Sequence, residues 1–196
     1  MAKLLYQGHG SFRITTDEGK VIYVDPFAGE GYDLSADGIL VTHGHYDHNK
    51  LELVTQKPGC QVITYQEALE RGQYHTFPLC GMEVEAVPAY NKNHKKEECV
   101  GYILSVDGVT IYAAGDTSTT DAMAGFAARR LDYALLCMDG VYNMDREEAQ
   151  NCARLIGAKH NIPIHMKPGG LFDEEMANGF DAPGKLVVCP GEEIQL

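Results

Sequence analysis

The stretch THGHYDHN at residues 42–49 places His43, His45, Asp47 and His48 within six positions, directly after the apolar run Ile39-Leu40-Val41. Side chains alternate along a strand, so His43 and His45 leave the strand end on the same side, as two ligands of one ion require. Asp47 and His48 follow where the chain turns away, and they offer a carboxylate and an imidazole to a second position nearby. The spacing therefore predicts two neighbouring cation sites. Two divalent cations ~3.5–4 Å apart can hold a bridging water or hydroxide and clamp both the attacked group and its leaving oxygen.

Such a cluster needs a rigid frame, and short β-rich runs recur along the chain: Phe12–Thr15, Val21–Val24, Ile39–Thr42, Val84–Val87, Tyr102–Val106, Val109–Ala113, Tyr133–Met138 and Ile162–His165 among them. Asp107-Gly108 between two apolar runs is a hairpin signal, and Asp17-Glu18-Gly19 is a second one, so part of the sheet is expected to be antiparallel. Helical periodicity is clearest over Asp145–Ala158, where Ala149, Cys152, Ala153 and Ile156 form one apolar stripe. Asp145 suits its start and Gly157 its end. A second helix is predicted over Thr119–Arg130 with Met123, Phe126 and Ala127 inward, and weaker helical patterns follow Asn49 and Gln66. Strands mixed with helices and hairpins imply a layered α/β architecture with mixed sheets.

The chain of 196 residues predicts one domain spanning 1–196, with no linker-like segment to divide it. A formal charge of −12, spread along the sequence, disfavours binding to nucleic acid. An anionic substrate would have to be drawn in by local positive charge such as the cations. No stretch approaches the roughly 18 apolar residues of a membrane span, and the N-terminus carries no apolar run of signal-peptide length, so a cytoplasmic protein is expected. Six cysteines without a CxxC pair read as small buried hydrophobes, with Cys99 in a polar loop as a candidate reactive thiol.

The stretch around His43 closely resembles the HxHxDH signature of the metallo-β-lactamase fold superfamily, and further motifs follow in the superfamily's order. VIYVDPF (21–27) resembles the early strand ending in an aspartate beneath the metal site, which Asp25 matches. IYAAGDT (111–117) looks like the motif whose aspartate bridges both metals, matching Asp116, and IPIH (162–165) looks like the strand ending in the last ligand, matching His165. VEAVPAYNKNH (84–94) occupies the place of the third histidine of the first site, which we assign to His94 rather than His75. The AYN…H pattern, the GHGSF motif and CVGYILSVDGVTIYAAGDT are similar to the UlaG-like branch.

The resemblance implies a four-layer αββα sandwich with two mixed β-sheets and a cation site along one edge. It assigns His43, His45 and His94 to one cation, Asp47, His48 and His165 to the other, and Asp116 to both, with Asp47 and Asp116 as the catalytic carboxylates. Asp25, His9 and Asn143 are expected behind the ligands or against substrate, with His9 either at the mouth of the site or in a structural hydrogen bond. For Asn143 a place in a helix-capping turn is an alternative. Histidine-rich ligation fits zinc, while the carboxylate bridge leaves manganese or iron open. The implied activity is hydrolysis of an ester, lactone, amide or phosphoester of a small molecule by metal-bound hydroxide. Relatives holding two irons for redox chemistry imply a diiron enzyme as an alternative, and a non-catalytic metal-binding sensor is a third reading.

Overall fold

The computed structural model describes residues 1–196. Fourteen strands are present: β1 Lys3–Gly8, β2 Ser11–Thr15, β3 Val21–Val24, β4 Ala36–Leu40, β5 Gln56–Ile63, β6 Leu69–Glu70, β7 Gln73–Tyr74, β8 Thr76–Leu79, β9 Met82–Pro88, β10 Val100–Val106, β11 Val109–Ala113, β12 Tyr133–Cys137, β13 His160–Ile164 and β14 Glu193–Gln195. Three α-helices accompany them, α1 Tyr65–Ala68, α2 Arg146–Ile156 and α3 Glu174–Gly179, with 3-10 helices at Leu51–Leu53 and Asp121–Arg129.

Two six-stranded mixed sheets form the frame, in the orders β14-β1-β2-β3-β4-β5 and β13-β12-β11-β10-β9-β8. Each begins with antiparallel pairs and ends with parallel ones: β3, β4 and β5 in the first, β11, β12 and β13 in the second. The Asp107-Gly108 turn joins β10 to β11 in the register Val106↔Val109. Both turn residues take positive φ, +48° and +82°, as the tight hairpin turn between right-twisted strands requires.

Side chains of period two sort the core. On β10, Tyr102 and Leu104 enter the interior between the sheets with Leu4, Phe12, Ile22 and Leu40, whereas Ile103 faces the other way with Tyr112, Leu136 and the helical layer. Burying each such side chain contributes roughly 1.5–3 kcal/mol. All of β12 is buried because both its faces are covered. Helix α2 lays Ala149, Cys152, Ala153 and Ile156 on the second sheet. Asp145 caps its start by accepting from the Glu148 amide at 2.8 Å, and Gly157 ends it at φ +67°. Outside the first sheet the cover is thinner, a small cluster around Tyr23, Ile39, Val41 and Val54.

Two expectations need correction. The helix sought over 119–130 is a 3-10 helix, whose threefold repeat keeps Met123 and Phe126 buried in line and turns Ala127 out to solvent. The cysteines are not uniformly buried: Cys99, Cys137 and Cys152 are, Cys60 and Cys80 are half-buried, and Cys189 is exposed on the loop before β14. Burial pushes the Cys99 thiol up to about 12, so it is an inert thiol.

Candidate metal centre

Five parallel strands end at one rim of the sandwich, and each delivers a polar side chain within a few residues. β3 leads to Asp25, β4 to Thr42 and His43, β11 to Asp116, β12 to Asp139 and β13 to His165. The joint between the sheets is closed there by a β-bridge pairing His43 with Cys99. Left-handed backbone gathers at the same rim, at His9 (φ +56°), Asp25 (φ +47°) and His165 (φ +46°). Such residues persist only where surrounding contacts hold them, and they concentrate at functional sites.

Asp116 is buried at the centre. Its Oδ2 lies 3.3 Å from Nε2 of both His94 and His165 and 3.9 Å from Nε2 of His43, while Oδ1 lies 3.2 Å from Nε2 of His48. Three of these imidazoles are hydrogen-bonded from behind through their other nitrogen, and the fourth, His165, has a carboxylate standing there. His48 Nδ1 bonds Asp25 Oδ2 at 2.9 Å, and His94 Nδ1 bonds Asn91 Oδ1 at 2.9 Å. Thr42 donates its hydroxyl to Asp25 at 2.7 Å and can accept from His43 Nδ1 at 3.0 Å, and Asp139 Oδ2 stands 3.1 Å from His165 Nδ1. Each of these partners is an acceptor, so in the neutral ring the Nδ1–H tautomer is favoured and Nε2 is the nitrogen directed inward.

The inward atoms have no hydrogen-bond partners: Nε2 of His43, His48 and His165 and Oδ1 of Asp116 are buried and unsatisfied. A buried polar atom left so costs about 1–3 kcal/mol, so four facing one point call for an occupant that replaces the missing bonds. Three overlapping ligand groups arise there, one of His43, His45 and His94, one of His9, Asp47, His48 and His165, and one of His43, His48 and Asp116. Within each, the ligand atoms lie within 4.8 Å of one another. Imidazole nitrogens and carboxylate oxygens, oriented by acceptors behind them, fit divalent cations.

The electrostatics agree. Burial pushes the His43 imidazole well below its usual value, and the neighbouring His48 adds to this. Burial also opposes charge on His48, yet Asp116 and Asp25 outweigh it and hold its pKa well above the usual histidine value. His165 behaves likewise: burial opposes charge, but Asp116 and Asp139 raise it to about 9. Burial disfavours the Asp116 carboxylate, but His48 and His165 keep it well below the carboxylate range. The centre is therefore a buried anion wrapped in imidazoles, the charge pattern a cation completes.

His94 and not His75 joins His43 and His45; His75 is half-buried on the segment between β7 and β8 and belongs to none of the three groups. Of the first three histidines His45 is the exposed one. His9 is not at the mouth of the site. It is fully buried, stacks on His165 with ring centroids 3.6 Å apart, and bridges the Gly170 carbonyl (3.0 Å) and Asp47 Oδ2 (3.2 Å). Asn143 lies in the turn held by Asp139, whose Oδ1 accepts the amides of Val141, Tyr142 and Asn143 at 2.7, 2.7 and 3.2 Å. Asp139 and Thr42 had no motif of their own in the sequence, and Asn91 stood in the AYN…H pattern without an assigned role. A polar residue one or two places beyond a buried strand was the available signal.

A cleft of about 440 Å³ opens over the centre, lined by His45, Asp47, His94, Asp116 and His165 and flanked by Tyr46 and Tyr142. No helix is long and apolar enough to cross a membrane.

Residues 3–165 match the family described as the beta-lactamase superfamily domain. A metal-dependent hydrolase of Pyrococcus furiosus is 30% identical, with 100% of both chains covered. A putative metal-dependent hydrolase of Parabacteroides distasonis, known from a crystal structure, is 29% identical with a TM-score of 0.75 over 94% of this chain and 91% of that one. A metallo hydrolase of Ignicoccus hospitalis shares the fold at a TM-score of 0.76 and 24% identity, covering 98% and 97%. The convergent histidines, the carboxylate at their centre and this family match lead to one conclusion: the chain belongs to the beta-lactamase superfamily and is one of its metal-dependent hydrolases.

Proposed function

We propose that the centre holds two divalent cations and hydrolyses a small molecule. His43, His45 and His94 take one cation, Asp47, His48 and His165 the other, and Asp116 serves both. The observation that carries this reading is the convergence of the three unsatisfied imidazole Nε2 atoms with Oδ1 of the same buried carboxylate. Cations bound there supply Lewis acidity, lowering the pKa of a bound water to ~7 and polarising the bond under attack.

The chain's own groups do the rest. Asp25, Thr42, Asn91 and Asp139 orient the imidazoles, and Asp47, held below the usual carboxylate range by His9 against the effect of burial, stays ionised at the cleft wall. Tyr46 and Tyr142, 68% and 52% exposed, offer apolar faces to a substrate entering the cleft. None of the lining residues is lysine or arginine, so an anionic group would be drawn in by the cations themselves. Ester, lactone, amide and phosphoester bonds all suit this chemistry. Zinc suits the imidazole-rich set, with manganese or iron as alternatives. The kinship we favour is with the UlaG-like branch, and six free cysteines support a reducing compartment such as the cytoplasm.

The test is a hydrolase panel of phosphodiesters, lactones and thioesters run on zinc-, manganese- and iron-loaded protein. Turnover that chelation abolishes is expected. Fully metallated protein without turnover would favour the sensor reading, and bound iron with visible absorbance would favour redox chemistry.

A further inference from the structure

His9 is the one member of the three ligand groups to which the dinuclear assignment gives no cation. It lies in the turn between β1 and β2, and its left-handed backbone, φ +56°, is held from both sides. The His9 amide donates to the Leu171 carbonyl at 2.6 Å, and its carbonyl accepts the His165 amide and the Tyr6 hydroxyl, each at 2.8 Å. Strain fixed in this way is characteristic of residues with a functional placement. The ring is fully buried and does not line the cleft, so it meets the centre from the protein side and leaves the open side to water and substrate.

The ring faces an acceptor at each nitrogen. Nδ1 lies 3.0 Å from the Gly170 carbonyl oxygen, which only accepts, so Nδ1 carries a proton and donates it. In the neutral ring Nε2 then presents a lone pair, and it stands 3.2 Å from Asp47 Oδ2. An ionised carboxylate oxygen also only accepts. Two acceptors so close need a positive centre between them, which is a proton in the metal-free protein and a cation in the loaded one. The ligand atoms of His9, Asp47, His48 and His165 lie within 4.8 Å of one another, so one ion can reach all of them. A backbone carbonyl behind the far nitrogen is also an ordinary way of orienting a metal-binding imidazole.

Resting on the dinuclear reading above, we propose that His9 is itself a ligand of the second cation, binding through Nε2 beside Asp47, His48 and His165. The Gly170 carbonyl orients it as Asp25 orients His48. The second subsite thereby draws a ligand from the β1–β2 turn as well as from the ends of the parallel strands.

The experiment loads 15N-histidine-labelled protein with cadmium-113, whose nuclear spin splits the signal of any nitrogen bonded to it. Splitting is expected at Nε2 of His9, His48 and His165, with His9 Nδ1 keeping its proton. A His9 Nε2 that carries a proton and shows no splitting, while His48 and His165 are split, would overturn the proposal and leave His9 as a hydrogen-bond partner of Asp47. Splitting at none of His9, His48 and His165 would refute the dinuclear reading and the proposal together. Splitting at those three with none at His43, His45 and His94 would refute the dinuclear reading while upholding the ligand. His9→Phe keeps a ring against His165 and Phe27 and removes both nitrogens. It should weaken zinc at the second subsite by roughly 100-fold, the upper end of what losing even an outer partner of a ligand costs, and leave the first subsite as in wild type. Wild-type zinc affinity at both subsites in His9→Phe would overturn the assignment.

Discussion

Asp116 Oδ2 stands 3.3 Å from His165 Nε2, both groups buried, the carboxylate at the end of β11 and the imidazole at the end of β13. A charge so placed holds a proton on the imidazole in the metal-free protein and would exchange it for a cation. Burial opposes the charge on His165, but Asp116 and Asp139 raise its pKa to about 9.

The pH dependence of the metal-free protein follows. A histidine raised on folding contributes stability that is fully present below its unfolded value near 6.5 and is lost as pH rises through about 9. The melting temperature of metal-free protein should therefore fall between these values, and zinc affinity should rise over the same window as the competing proton leaves. Differential scanning fluorimetry and zinc titration at stepped pH measure both, and a melting temperature that climbs across this range would contradict the arrangement.

Asp25 accepts the Thr42 amide and hydroxyl, each at 2.7 Å, and faces His48 Nδ1 at 2.9 Å. Asp25→Ala orphans these buried donors and should destabilise the fold by on the order of 3 kcal/mol. Asp25→Asn presents an amide in place of a carboxylate and should lower zinc affinity by about 10- to 100-fold with less loss of stability. Urea unfolding and metal titration of the pair separate these effects, and equal stability losses in both would refute the distinction.

Gly10 is required by proximity. A Cβ there would lie 2.7 Å from His48 Cε1 and 3.2 Å from its Nδ1, inside van der Waals contact. Gly10→Ala should push the ring off Asp25, costing zinc occupancy at the subsite of Asp47, His48 and His165 more than overall stability. Bound zinc per chain at limiting concentration reads this out; wild-type occupancy would show that the ring has room to move.

Much of this was legible in the sequence because the information is local. An apolar run marks β4, which ends at Leu40 just before the histidines, a two-residue turn signal marks the β10–β11 hairpin, and a capped apolar stripe marks α2; strand alternation does not reach His43 and His45, which lie beyond the strand. Residues 119–130 were harder, since Met123 and Phe126 fit both a 3.6- and a threefold repeat and only Ala127 tells them apart. Of the partners behind the ligands, Asp25 was legible from its motif, and the others were not. Asn91 meets Asn143, and His9 slips beneath His165, only once loops from distant parts of the chain converge, and no local pattern of residue types specifies such pairings.

The most direct test of the central claim is metal content. Wild-type protein purified without added metal and then equilibrated with zinc should hold two ions per chain by mass spectrometry. Asp116→Ala should lose both together, because its carboxylate faces the histidines of both subsites. An Asp116→Ala protein that still holds two ions per chain would contradict the shared centre.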